Sequence, residues 1–258
     1  MDTAALAGRL VNHGSASRYW IAYSGGLDSH VLLHQCARLG QQDGRFCFAA
    51  VHVHHGLQAQ AENWATHCAE VCAELGVPFR LIRVDAKPQP GQSPEEAARN
   101  ARYRAFEDLL GEGEALLTAQ HADDQAETVL LQLLRGAGLA GLAAMPEAMP
   151  LGCGVLLRPL LGRSRDALQQ YAINHDLHWV EDPSNQATVY DRNFIRQQIM
   201  PLLADRWPSV AETLSRTARH CAEAQGQLDR LADDLLLAAC DGAAAASTPS
   251  VIHLRQWQ

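Results

Sequence analysis

Four short apolar runs, each followed by a helical pattern, fill the first 136 residues and constrain the fold more than any other feature. "RYWIAY" (18–23), "RFCFAAVHVHH" (45–55), "FRLIRV" (79–84) and "EALLTAQ" (114–120) read as strands. Helical periodicity covers Asp28–Leu39, Gln60–Leu75 with Gly76 and Pro78 beyond it, and residues 123–136. A fourth helix opens on Ser93-Pro94-Glu95-Glu96, a cap, a first-turn proline and early acids, and runs to Leu110. Strands joined through helices pair in parallel, so the expected fold is α/β with a doubly wound, mostly parallel, Rossmann-like sheet. Ligands of such sheets sit at the carboxyl ends of the strands. "SGG" (24–26), "HVHHG" (52–56) and "AQHADD" (119–124) all fall there.

The sharpest of these is "SGGLDS" (24–29). A strand that breaks at Gly-Gly and opens a helix offers unpaired N–H groups and a positive helix end, which together attract an anion, phosphate first. No lysine follows at the Walker position, and the pattern is not G-x-G-x-x-G, so a Walker-type NTPase and a dinucleotide site are both disfavoured. A plain serine-capped turn explains one serine and one glycine. It does not explain two glycines, a second serine and Asp28.

Composition excludes several classes. At 258 residues and 47% hydrophobic, the chain can bury a substantial core. No apolar run nears the roughly 20 residues of a membrane span, and "MDTAALAGRLVNHGSASRYW" lacks a signal-peptide layout, so a cytoplasmic protein without a membrane partner is expected. The seven cysteines are odd in number and scattered, which fits reduced thiols. Cys68 and Cys72 share a helix face, where burial is the stronger reading and a metal pair the weaker. A net charge of −8 means that any nucleic-acid partner must be met by local arginines, of which there are twenty against one lysine, Lys87.

The second half reads less regularly. "RGAGLAGLAAMPEAMPLGCGV" (135–155) is glycine-rich and mobile-looking, and "LLRPLLGRSRDALQQYA" suggests a strand remnant and a helix. "EDPSNQATVYDRNFIRQQIMPLL" is polar and then helical. From about Arg216 the chain becomes alanine- and leucine-rich helix, ending in the strand-like "VIHLRQWQ".

A strand ending in S-G-G-x-D-S resembles the signature of the N-type ATP pyrophosphatases, the PP-loop family, which cleave ATP between the α and β phosphates. The resemblance implies that Ser24, Gly25, Gly26, Leu27, Asp28 and Ser29 hold the pyrophosphate end of ATP, with Asp28 on Mg²⁺. "AVHVHHGL" (50–57), "EAARNARYRAF" (96–106), "TAQHADDQAETVLLQLLRGAG" (118–138), "RPLL" (158–161), "EDPSN" (181–185) and "YDRNFIR" (190–196) narrow it. In that order they resemble the tRNA(Ile)-lysidine synthetases, from about Tyr19 into the helices after Trp207. In that family ATP adenylates the wobble cytidine of a minor isoleucine tRNA with a CAU anticodon. Free L-lysine then displaces AMP. Many members carry an aspartate, and often an arginine, where this chain has His54 and Gln58, so His54 is given no essential role.

The resemblance implies a catalytic set of Asp28, His121, Asp124 and Glu127. Asp124 and Glu127 lie three apart, hence on one helix face, and suit the substrate ammonium. Asp123 fits a mere complement to the helix dipole. Arg192 and Arg196, four apart, could grip tRNA phosphate or the pyrophosphate, and a solvated helix face is nearly as good a reading. Arg135 is weaker still. Arg99 and Arg102 suit pairing with Glu95 or Glu96. His52 and His55 either flank the nucleotide or serve the core.

The expected organisation is a catalytic domain over residues 1–215. Residues 216–258 would then be a helical linker and the cut-short start of a second domain, since longer members carry further tRNA-holding domains. A homodimer is left open. Two rivals remain: a PP-loop tRNA thiolase, which commonly needs a cysteine pair that no C-x-x-C supplies here, and a non-catalytic adenine-nucleotide-binding module.

Overall fold

The computed structural model describes residues 2–56, 61–88, 91, 93–181 and 190–244. Gln58, most of "EDPSN" and the terminal "VIHLRQWQ" lie outside these.

The strands are β1 (Arg18–Ala22), β2 (Phe48–His54), β3 (Phe79–Arg83), β4 (Glu114–Leu117), β5 (Ala148–Leu151) and β6 (Gly154–Leu157). They form one sheet in the order β3-β2-β1-β4-β6-β5. All pairs are parallel except β5 with β6. β2 is buried along its whole length, as a strand covered on both faces must be. Between the strands run α2 (Leu27–Gln42), α3 (Ala61–Glu74), α4 (Pro94–Leu109) and α5 (Ala122–Leu134). The order reverses at β1, whose neighbours are β2 and β4. That switch point places the crevice at the ends of β1 and β4.

Two apolar layers hold the sheet. Tyr19, Ile21, Leu32, Leu33, Cys36 and Leu117 anchor one, and Trp20, Val51, Phe106, Leu116 and Leu156 the other. Adjacent β1 residues thus enter opposite layers, the period-two consequence of a pleated strand.

Three elements were not read from the sequence. Helix α1 (Thr3–Asn12) is capped by Asp2, whose side chain accepts from Ala4 N–H, and buries Leu6 and Leu10. The stretch 135–155 is not a mobile loop: it holds α6 (Leu139–Leu142), β5 and the first residues of β6. Two of its glycines are needed for close packing. A Cβ on Gly152 would lie 2.7 Å from Glu107 O, and one on Gly154 would lie 2.5 Å from Glu114 O. The same stretch is pinned by Gln125, which donates Nε2–H to Met145 O at 2.9 Å and accepts Met145 N–H at 3.0 Å.

After α7 (Arg165–Asn174) come α8 (Asp191–Phe194), a π-helical turn (Ile195–Ile199) and α9 (Met200–Arg206). Helix α10 (Val210–Ala244) is a single 35-residue rod that packs on α5 and α6. The expected division at residues 215 and 216 falls inside this rod. Among the described residues no helix is long and apolar enough to cross a membrane.

Candidate active site

The cradle forms because β1 stops at Ala22 and α2 starts at Leu27, with Gly26 as the extended residue before the helix. Gly25 sits at φ +87°, in the left-handed region, and a Cβ there would lie 3.2 Å from Cys68 Sγ. Both facts call for glycine. Ser24 and Ser29 Oγ lie 3.0 Å apart, Ser24 N–H donates to Ser29 Oγ at 3.2 Å, and Ser29 O–H donates to Gly26 O at 3.0 Å. The serines tie the turn, and Gly25 O accepts Val180 N–H at 2.9 Å from a segment far along the chain. Behind the cradle, His52 Nδ1–H donates to Tyr23 O at 2.9 Å. Burial lowers the pKa of His52 below the usual histidine value. Of the two readings of His52, that bond supports the structural one.

His121 caps α5 and is 2% exposed. Its Nε2 lies 3.6 Å from Asp28 Oδ2 and 3.3 Å from Asp124 Oδ2, and its Nδ1 lies 3.4 Å from Asp123 Oδ2. Burial alone would lower its pKa, but the contacts with Asp123 and Asp28 and the charge of Asp124 outweigh this and push it up to about 10. At neutral pH His121 is an imidazolium held among three carboxylates. Asp123 is thus more than a dipole complement: it also accepts Arg165 N–H at 2.8 Å, tying the start of α7 to the site.

One turn further along α5, Glu127 is 1% exposed and both its oxygens are occupied. Arg196 donates Nε–H to Oε1 at 2.6 Å and an Nη2–H to Oε2 at 2.8 Å; Arg192 donates Nε–H to Oε2 at 2.9 Å. Asp124 Oδ1 accepts from Arg196 at 2.9 Å and from Arg192 at 3.3 Å, and Asp124 Oδ2 accepts His121 N–H at 3.1 Å. The arginines therefore do not form a solvated face. They join α8 and the π turn to α5 in a four-charge lock. Asp28 Oδ1 is buried and has no hydrogen-bond partner among the described residues.

The weaker candidates separate from this group. Arg135 comes within 4.0 Å of exposed Asp191. Arg99 stacks over Tyr103 at 4.7 Å and donates an Nη2–H to its hydroxyl at 3.3 Å, while the side chain of Glu95, one of its two expected partners, lies outside the described part of the structure. His54 Nε2 lies 3.4 Å from Glu62. Sequence reasoning missed Gln125, Asp123 and Val180. Only Gln125 had a signal, a polar residue at a position the helix pattern of "ADDQAETVLL" buries.

Comparison with known proteins adds to this geometry. A PP-loop domain family matches residues 2–203. The tRNA(Ile)-lysidine synthase of Methylococcus capsulatus is 54% identical over 238 residues, 92% of this chain and 53% of that protein. That of Pseudomonas syringae pv. tomato is 56% identical over 218 residues, 84% of this chain and 48% of that protein. The chain thus spans about half the length of the curated relatives it matches. Among solved structures, the U34-tRNA thiolase NcsA of Methanococcus maripaludis, with its [4Fe-4S] cluster, superposes with a TM-score of 0.70 at 16% identity. The match covers 86% of this chain and 78% of that one, a likeness of fold. With its switch-point crevice, its Ser-Gly-Gly turn and a family match over most of its length, the chain belongs to the PP-loop family.

Proposed function

We propose that this chain uses ATP to adenylate the wobble cytidine of a minor isoleucine tRNA with a CAU anticodon and joins that base to free L-lysine, releasing pyrophosphate and AMP. The observation that carries the reading is the cradle at the end of β1 facing a cluster of charged groups at the start of α5, in a chain about half identical to tRNA(Ile)-lysidine synthases over most of its own length.

Ser24, Gly25, Gly26, Leu27 and Ser29 would take the pyrophosphate end of ATP on backbone N–H groups and hydroxyls. Among the described residues no three His, Cys, Asp or Glu side chains converge on a metal position. Mg²⁺ suits the site all the same, because it commonly binds one or two carboxylates plus substrate phosphates and water. The orphaned Asp28 Oδ1 is the carboxylate for it. When bound, Mg²⁺ would neutralise charge developing on the phosphates. His121, with Nε2 3.6 Å from Asp28 Oδ2, would hold that carboxylate in place.

Asp124 and Glu127 remain the residues proposed for lysine, with a condition. Their oxygens already carry guanidinium groups, so the lysine ammonium must displace one of them. A displaced Arg192 or Arg196 would be free for a phosphate. Among the described residues, the cysteines of the sheet and α3 do not favour the thiolase rival. Cys68 and Cys72 are buried, and burial pushes their thiols up to about 12. Exposed Cys47 and Cys153 precede β2 and β6, at the amino edge of the sheet and away from the cradle. The test is incubation with ATP, labelled lysine and the minor isoleucine tRNA. Lysine attached to the wobble cytidine with one AMP per product is expected. ATP binding without lysine transfer would favour the non-catalytic module.

A further inference from the structure

A second cleft, of about 460 Å³, opens at the carboxyl ends of β2 and β3, lined by residues 55–56 and 83–87. It shares no residue with the cradle or with the lock on α5. Its floor is fixed: Val84 N–H donates to His54 O at 3.0 Å, Val84 packs on the second apolar layer, and Ala86 is buried. His55 lines its wall, with Nδ1 buried in the protein and unbonded among the described residues. Burial and the charge of nearby Arg102 hold the His55 pKa down at about 4, so the ring is neutral at working pH. Two mostly exposed cations stand at the mouth. Arg83 lies 3.1 Å from Glu62, and Lys87 lies 3.5 Å from Asp85. Exposed pairs of this kind hold by no more than about 1 kcal/mol, so an arriving phosphate can take over either cation.

We propose that this cleft is a subsite for one nucleotide of an RNA strand, with the base against His55 and the backbone phosphate on Arg83 and Lys87. It rests on the reading that the substrate is a tRNA and deepens it. A neutral imidazole ring offers a face on which a base can stack, and flexible exposed cations suit a phosphodiester. The cavity is of the size that encloses a small ligand or a single nucleotide. RNA fits better than the ATP of the cradle. The cleft lies beyond β2, which separates it from the cradle at the end of β1. Its cations also face solvent, where a macromolecule passes. For a chain of net charge −8, affinity for a polyanion depends on where the few unburied cations stand.

The test measures binding of a fluorescent anticodon stem–loop of the CAU isoleucine tRNA by anisotropy at several salt concentrations, and ATP binding separately. The double variant R83Q/K87Q should weaken RNA binding about tenfold. It should also flatten the slope of log affinity against log salt by about 1.4, the value for two single-strand phosphates. ATP affinity and melting temperature should not change, because both side chains are exposed. H55A should weaken RNA binding about fivefold with the salt slope unchanged. Unaltered RNA affinity in R83Q/K87Q overturns the proposal, and so does a parallel loss of ATP affinity, which would assign the cleft to ATP. A wild-type chain that binds ATP but no stem–loop at any salt overturns the subsite, while the tRNA reading itself stands or falls on the lysine-transfer assay.

Discussion

The cradle at the end of β1 and the lock at the start of α5 face each other across one crevice, yet they are held in opposite ways. In the cradle the groups on offer are backbone, the turn is tied by two serine hydroxyls, and the buried carboxylate oxygen Asp28 Oδ1 has no hydrogen-bond partner among the described residues. In the lock every oxygen of Glu127 and Asp124 is already engaged, by Arg192, Arg196 and His121. The cradle is open to a ligand as it stands. The lock has to exchange a partner before it can hold one. A buried carboxylate with two guanidinium partners is also expensive to disturb, whereas a glycine turn is soft.

Glu127→Gln should show the largest effect, because it leaves two guanidinium groups facing a neutral amide. A loss of roughly 3 kcal/mol in urea unfolding is expected, with the lysine requirement raised or transfer blocked while ATP still binds. A stability loss under about 1 kcal/mol would mean that solvent screens the lock and that the contrast is wrong. Asp28→Asn should act on catalysis and not on the fold. Adenylate formation should drop at least about a hundredfold, near 3 kcal/mol of transition-state stabilisation, at unchanged melting temperature. Wild-type turnover would remove Asp28 from the mechanism.

Gly25→Ala sharpens the cradle side. A residue other than glycine at φ +87° costs roughly 1–2 kcal/mol, and its Cβ meets Cys68 Sγ, so ATP affinity should fall more than stability does. Equal losses in the two would show that the turn is needed for folding rather than for phosphate.

The smallest effect is expected from acid. His34, between Tyr171 and His175, has its pKa lowered to about 4 by burial and by the charges of His175 and Arg38. Below the unfolded value of about 6.5, the unfolded chain takes up a proton that the folded chain refuses. Stability from this site is therefore full above about pH 6.5 and falls as pH drops toward 4. His34→Gln should flatten that part of the stability curve. An unchanged curve would show that His34 is not held neutral by the fold.

What was legible in the sequence follows the same divide. Ser24-Gly25-Gly26 could be read because its geometry is local: a broken strand, a positive-φ turn and a helix start within a few residues. The four parallel strands could be read from their apolar runs. The lock could not, because Arg196 and Glu127 are 69 residues apart and helical spacing says nothing about what faces a helix from elsewhere. The sequence showed both pairs, 124 with 127 and 192 with 196, and gave no sign that they meet. The hairpin of β5 and β6 hid behind Pro150 and the five glycines of 135–155. Those glycines looked like slack, and two of them instead let the backbone press against Glu107 and Glu114. Gln125 looked like one more polar helix residue until Met145 was found in its grip.

The bond from Val180 N–H to Gly25 O bears on how the molecule is born. Chain is made from the amino end and tends to fold in that order, and contacts between distant residues form late because the loop between them must first close. By the time β6 is complete at Leu157, the whole sheet exists, yet Gly25 still lacks its hydrogen-bond donor and Glu127 still lacks both arginines. The first motif to emerge from the ribosome is thus among the last to reach its working shape. A half-made chain would leave Glu127 without its arginines and the turn at Gly25 unbraced, so the site proposed for ATP is assembled only once residues near 200 have joined the fold.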